Sequence, residues 1–265
     1  MYEITSERGL LCSKTLVNTA KSPHTLIAGT TGAGKSVALN SILYSLMFSS
    51  LGRAENYFVM IDTKRVELKP YAKCVKTLAY ETEPERVPSL LDGVIDIMED
   101  RYAEMEGRET DGYHIYVVVD ELADLIDEPG VLKRLVKLGR LGRAAHIHLI
   151  CCTQDPSRHT LSAQLMQNFT TRIALKCKDQ IESRQVLGHP GAELLVKHGP
   201  AIISDGDGER KFKFTLIPDE EILELIQATN DHAVWSRQQS SENPITFAPD
   251  LQKDNGETAW VPVGV

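Results

Sequence analysis

The chain lacks any apolar run of the roughly 18 to 20 residues that a membrane-crossing helix takes. Its most apolar stretches, Ile115 to Val119 and Ile147 to Cys152, are only strand-sized. The first residues, Met1 to Arg8, are acidic and contain no apolar h-region, so they do not read as a secretory signal. Cysteine is scarce: Cys12, Cys74, Cys151, Cys152 and Cys177 are odd in number and without ligand spacing, and read as reduced core thiols in a cytoplasmic protein. His146 and His148 lie near Cys151 and Cys152, but successive strand residues point to opposite faces, which disfavours a shared zinc site. Positive charge is in deficit as well. A net charge of -8 and a pI near 5.5 argue against a surface coated for nucleic acid. A local patch remains, because Lys133, Arg134, Lys137, Arg140 and Arg143 run without an intervening carboxylate, most of them on one helical face.

At 265 residues and 42% apolar, the chain has enough material for one large α/β domain with small ends. Gly29, Thr30, Thr31, Gly32, Ala33, Gly34, Lys35 and Ser36 fill the pattern G-x-x-x-x-G-K-[ST], after the apolar run Thr25 to Ala28 and before a helix-period stretch. In that context backbone N–H groups and a helix N-terminus cradle phosphates, Lys35 reaches the terminal phosphates and Ser36 ligates Mg²⁺. ATP and Mg²⁺ are the expected cofactors.

The rest of the chain supplies the sheet. Helix periodicity runs from Ala38 to Met47 and from Val87 to Met105, and Gly107 to Gly112 reads as a linker. Strands are expected at Tyr57–Ile61, Ile115–Val119, Ile147–Cys152 and Arg172–Cys177. Continuous apolar strands alternating with helices imply a mainly parallel sheet covered on both faces. Ligands then sit at the strands' carboxyl ends, where Gly29, Asp62, Asp120 and Gln154 fall. A C-terminal hairpin is expected from Ala201–Ser204 and Lys211–Leu216, with Phe212 and Phe214 inward, followed by a helix from Asp219. Residues 1–229 form the domain in this reading, and 230–265, polar and broken by proline, an extended tail.

Asp120 follows an apolar β-branched strand, the pattern of a Walker B segment. Burial there fixes a carboxylate in the Mg²⁺ shell, and Glu121 next to it can polarise an attacking water. With Gln154 at another strand end, the set describes an ATP-hydrolysing motor site rather than a kinase or a GTPase.

These residues also carry a resemblance. The run Pro23 to Ser36, with Thr30-Thr31-Gly32 inside the loop, resembles the P-loop block of the FtsK/SpoIIIE DNA translocases. Further blocks are similar in order: Ile61 to Lys64 with Glu67, Leu68 and Tyr71; Met98 with Arg101, Tyr102 and Met105; Val118 to Leu125; Gly142 to Leu149 with Thr153 and Gln154; and Thr171 to Ala174 with Ser183 and Arg184. The resemblance implies a RecA-like P-loop ATPase assembling as a hexameric homo-oligomer around double-stranded DNA, gripped without regard to sequence. It implies that Lys35 and Ser36 bind phosphate and Mg²⁺, that Asp120 holds Mg²⁺ through water, and that Glu121 is the water-activating base. Gln154 then senses the γ-phosphate, and Arg143 reaches into a neighbour's site.

The sequence departs from the family in two loops. Asp155 stands where the family usually has arginine after the glutamine, with Arg158 nearby as a substitute. Lys178 and Arg184 remain in the second pore loop, whereas Gln180 replaces a lysine. Arg158, Lys178 and Arg184 are thus the candidate DNA contacts. Family membrane and winged-helix parts do not fit within 265 residues, so they would come from partner proteins. Alternatives sharing the core are a protein-translocating ATPase of the type VII secretion kind, which Asp155 and the acidic pI favour, a DNA transfer or packaging ATPase of a mobile element, and a structural nucleotide-binding ring.

Overall fold

A computed structural model describes residues 4–6, 9–11, 22–50, 56–105 and 112–239. Two short strands, β1 (Ile4–Ser6) and β2 (Gly9–Leu11), pair antiparallel apart from the main sheet. The buried run expected before the P-loop is β3 (Thr25–Ala28), followed by α1 (Lys35–Ser50). Then come β4 (Asn56–Ile61), β5 (Thr77–Glu81), α2 (Val87–Glu104), β6 (His114–Val119), α3 (Val131–Leu141) and β7 (Ile147–Thr153). The chain continues through α4 (Ala163–Met166), β8 (Thr171–Ala174), α5 (Gln180–Leu187), β9 (Ala201–Asp205), β10 (Gly208–Phe212) and α6 (Asp219–Gln239).

The main sheet has eight strands in the order β10-β9-β8-β3-β7-β6-β4-β5. From β8 to β5 every pairing is parallel, while β9 and β10 add an antiparallel edge. Alternation along each strand separates two cores. Leu26, Ala28, Val117, Val119 and Cys151 pack with Leu91 and Met98 of α2 and Leu135 and Leu138 of α3. Ile27, Tyr116, Val118 and Cys152 pack on the other face with Leu39 and Leu43 of α1 and Ile222 and Ile226 of α6. Cys151 and Cys152 therefore lie in different cores, both buried, and burial pushes the Cys151 thiol up to about 12. His148 lies against the His114 ring, with 2.8 Å between ring nitrogens.

The structure departs from several sequence expectations. β5 has no counterpart among the expected strands: it is short and half polar, and it borders only β4. β8 ends at Ala174 rather than Cys177 because the next backbone turns to the P-loop, Thr30 N–H donating to Lys176 O at 2.9 Å. The second hairpin strand spans Gly208–Phe212 instead of Lys211–Leu216; Phe214 lies beyond it, buried, with Phe212 edge-on at 5.0 Å. The chain also does not turn irregular at Asn230. α6 continues to Gln239, and the Asn230 side chain accepts from Val75 N–H at 2.7 Å and donates to Lys73 O at 3.1 Å. Cys12, the 107–111 part of the linker and the tail from residue 240 lie outside the described residues.

Candidate functional site

The P-loop leaves β3 between two strands and closes onto β8. A Cβ at Gly29 would stand 2.8 Å from Leu175 Cβ and 3.2 Å from Lys176 O, so only glycine fits there. Gly34 turns into α1 at φ 105°, in the left-handed region. Thr31 and Gly32 form the exposed crest and Ala33 is buried beneath it. Lys35 Nζ folds back over the loop, donating to Gly29 O at 2.8 Å. Burial lowers its pKa, opposed by the charge of Glu121.

The carboxyl ends of the neighbouring strands bring acidic groups to the same edge. Asp120 is 9% exposed and Glu121 3%. Glu121 heads the short 3-10 turn Leu122–Asp124 without capping it by its side chain, so its carboxylate is not spent on local structure. Instead Glu121 accepts Lys64 Nζ at 2.9 Å and Gln154 N–H at 2.9 Å. The Gln154 side chain accepts the Thr31 hydroxyl at 2.5 Å, so one chain of hydrogen bonds joins Lys64, Glu121, Gln154 and the P-loop crest.

Asp62, fully buried at the end of β4, accepts Val66 N–H, Leu68 N–H and the Tyr80 hydroxyl. Those bonds fold the following loop so that Glu67 receives the Ser36 hydroxyl at 2.6 Å. Burial, with the carboxylates of Asp62 and Glu67, pushes Asp120 up to about 7. A buried acidic cluster beside a serine hydroxyl and a loop of backbone amides has the donor chemistry for a hard divalent cation and a polyphosphate. Ser36 and Asp120 fit as the cation's holders, and Lys35 with the loop fits phosphate.

Gly29 to Ser36, Asp120, Glu121 and Gln154 thus converge at one sheet edge. Arg143 does not join them. It is exposed in the turn between α3 and β7, at the amino end of β7, roughly 20 Å of strand away from that edge. The turn is held from α2, where the Arg101 guanidinium donates to Ala145 O and the Tyr102 hydroxyl to Leu141 O at 2.6 Å. Within the cationic run, Arg134 makes two bonds to Asp92 at 2.7 and 2.6 Å, and Lys137 pairs with Glu99 at 2.8 Å. That part of the patch therefore serves helix packing.

Arg158, Lys178 and Arg184 are all exposed. Arg158 and Lys178 sit in the loops following the carboxyl ends of β7 and β8, and Arg184 lies in α5, whose Gln185 bonds to Leu161 O at 2.9 Å. Lys64, Glu67 and Tyr80 join the site without a signal of their own in the sequence, since the first two lie in an irregular loop and the third in an unforeseen strand. Lys64 and Glu67 could have been found only through the block of family similarity that contains them both.

Strand order, loop and carboxylates together define a RecA-like P-loop ATPase. The FtsK/SpoIIIE family matches residues 9–116. "DNA translocase FtsK" of Chlorobaculum tepidum is 38% identical over 205 residues, covering 68% of this chain and 25% of that protein. The protein of the same name in Brucella melitensis is 30% identical, over 80% of this chain and 32% of its own length. The chain belongs to the FtsK/SpoIIIE family. It spans about a quarter to a third of the length of these curated relatives. Among solved structures, the pCW3 conjugation coupling protein TcpA in its monomer form with ATPγS is 28% identical, with a TM-score of 0.70 over 80% of this chain and 66% of that one. EssC (ATPases 2 and 3) from Geobacillus thermodenitrificans shares the fold at a TM-score of 0.71 and 18% identity, over 87% of this chain and 47% of that chain. Among the described residues no helix is long and apolar enough to cross a membrane.

Proposed function

We propose that this chain is the motor of an ATP-driven double-stranded DNA translocase that works in the cytoplasm as a ring, with hydrolysis at subunit interfaces. The carrying observation is the convergence of the P-loop, Asp120, Glu121 and Gln154 on neighbouring strand ends. Lys35 and the loop amides bind the phosphates, Ser36 and Asp120 hold Mg²⁺, and Glu121 takes the proton of the attacking water. When bound, the cation supplies neutralisation of charge on the phosphate oxygens. Gln154, tied to both Thr31 and Glu121, is placed to couple the γ-phosphate to the base. The remoteness of Arg143 from its own P-loop supports its serving a neighbouring subunit. We assign the motor domain through α6, with the tail beginning after it.

The names of the curated relatives support DNA as the polymer. The alternative of a protein substrate draws on Asp155, but its carboxylate has a local task. It accepts Ser157 N–H at 3.2 Å, the Ser157 hydroxyl at 3.0 Å and the Thr160 hydroxyl at 3.1 Å, building the loop that exposes Arg158. The test is ATP turnover with and without duplex DNA. Stimulation by DNA of any sequence is expected, with binding lost in Lys35→Ala and turnover lost but ATP retained in Glu121→Gln. A rate indifferent to DNA would remove DNA as the polymer.

A further inference from the structure

The carboxylate assigned as base is held from two sides. Lys64 Nζ lies 2.9 Å from Glu121 Oε2, and Gln154 N–H is 2.9 Å from Oε1. Glu121 is 3% exposed, whereas the Lys64 side chain is 39% exposed, so the lysine bridges a closed site and the surface. Its position is built rather than incidental. Asp62 accepts two backbone N–H groups of the same loop, Arg65 adopts φ 57°, and Arg65 pairs with Glu83. Thr63 donates its hydroxyl to Asp124 at 2.8 Å, giving a second fastening between the loop after β4 and the segment after β6.

An ammonium and an amide bonded to the two oxygens of one carboxylate occupy the positions from which a water molecule would approach it. We propose that Lys64 is a positioning residue that restrains Glu121, so that each hydrolysis waits for the loop carrying Lys64 to withdraw. The inference rests on Glu121 acting as the base. The exposed ammonium can then be drawn off by movement of its own loop without opening the core.

The experiment measures kcat and KM for ATP in the full chain, with and without duplex DNA, for Lys64→Met, Lys64→Gln and Lys64→Arg. Removing one hydrogen bond from a partly exposed donor should raise the DNA-free kcat by about 5- to 10-fold for Lys64→Met. KM should stay constant, Lys64→Gln should fall between, and Lys64→Arg should return the rate toward wild type. Stimulation by DNA should shrink in the same order. A DNA-free kcat that is unchanged or lower in both Lys64→Met and Lys64→Gln overturns the restraint. Glu121→Gln, alone and combined with Lys64→Met, separates this outcome from failure of the underlying reading. Both should be inactive if Glu121 is the base, whereas wild-type turnover in Glu121→Gln removes the base itself.

Discussion

The Ser36 hydroxyl donates to Glu67 at 2.6 Å, which commits its proton to Glu67 and leaves the oxygen's lone pairs to accept a cation. A partner that orients a ligating group and raises its basicity commonly contributes about 10- to 100-fold in metal affinity. Glu67→Ala should therefore raise the Mg²⁺ concentration for half-maximal ATP turnover by about that factor, with kcat at saturating Mg²⁺ close to wild type. A magnesium titration of phosphate release checks this, and an unshifted midpoint would detach Glu67 from the cation.

Asp120 bears on stability as well as chemistry. Its pKa of about 7 lies above the ordinary aspartate value of 3.8, so the folded protein holds a proton that the unfolded chain gives up. The stabilisation linked to that proton is complete below about pH 4 and is lost as pH rises toward 7 and beyond. Without Mg²⁺, Asp120→Asn should melt a few degrees higher than wild type at pH 8, about 2–4 °C per kcal/mol for a chain near this size. The gap should narrow toward pH 4.5. Thermal unfolding in buffers with chelator reads it directly, and a gap that is constant with pH would contradict the raised pKa.

Arg143 predicts shared sites. An arginine supplied in trans is typically worth about 10³ to 10⁵ in phosphoryl-transfer rate. Arg143→Ala should assemble and bind ATP yet turn over that much more slowly. Mixing it with Lys35→Ala should restore hydrolysis at interfaces that pair an intact P-loop with an intact Arg143. Mixed rings without any recovery would place the catalytic arginine elsewhere.

Duplex binding should weaken steeply with salt, because exposed Arg158, Lys178 and Arg184 can meet phosphates but no base-reading element accompanies them among the described residues. The triple alanine variant should flatten the plot of log affinity against log salt by roughly 0.9 for each phosphate no longer neutralised. Fluorescence anisotropy at several salt concentrations measures the slope. The same slope in variant and wild type would move the DNA-binding surface elsewhere on the protein.

The local sequence carried the strands β3, β4, β6 and β7, the loop Gly29 to Ser36 and the ends at Asp120 and Gln154, because buried parallel strands need continuous apolar runs and phosphate loops need glycine at fixed steps. It also placed Cys151 and Cys152 on opposite faces, since strand alternation is a property of the backbone alone. The tertiary structure decided what happens between the strand ends. That Lys64 meets Glu121, Glu67 meets Ser36 and Thr31 meets Gln154 depends on which strands become neighbours, and those partners are 31 to 123 residues apart in the chain. Likewise β5 joins the sheet through its pairing with β4, and Asn230 is held inside α6 by the turn at Lys73 and Val75. Periodicity reports the burial of a segment, whereas side-chain partners are set by the packing of segments that sequence separation conceals.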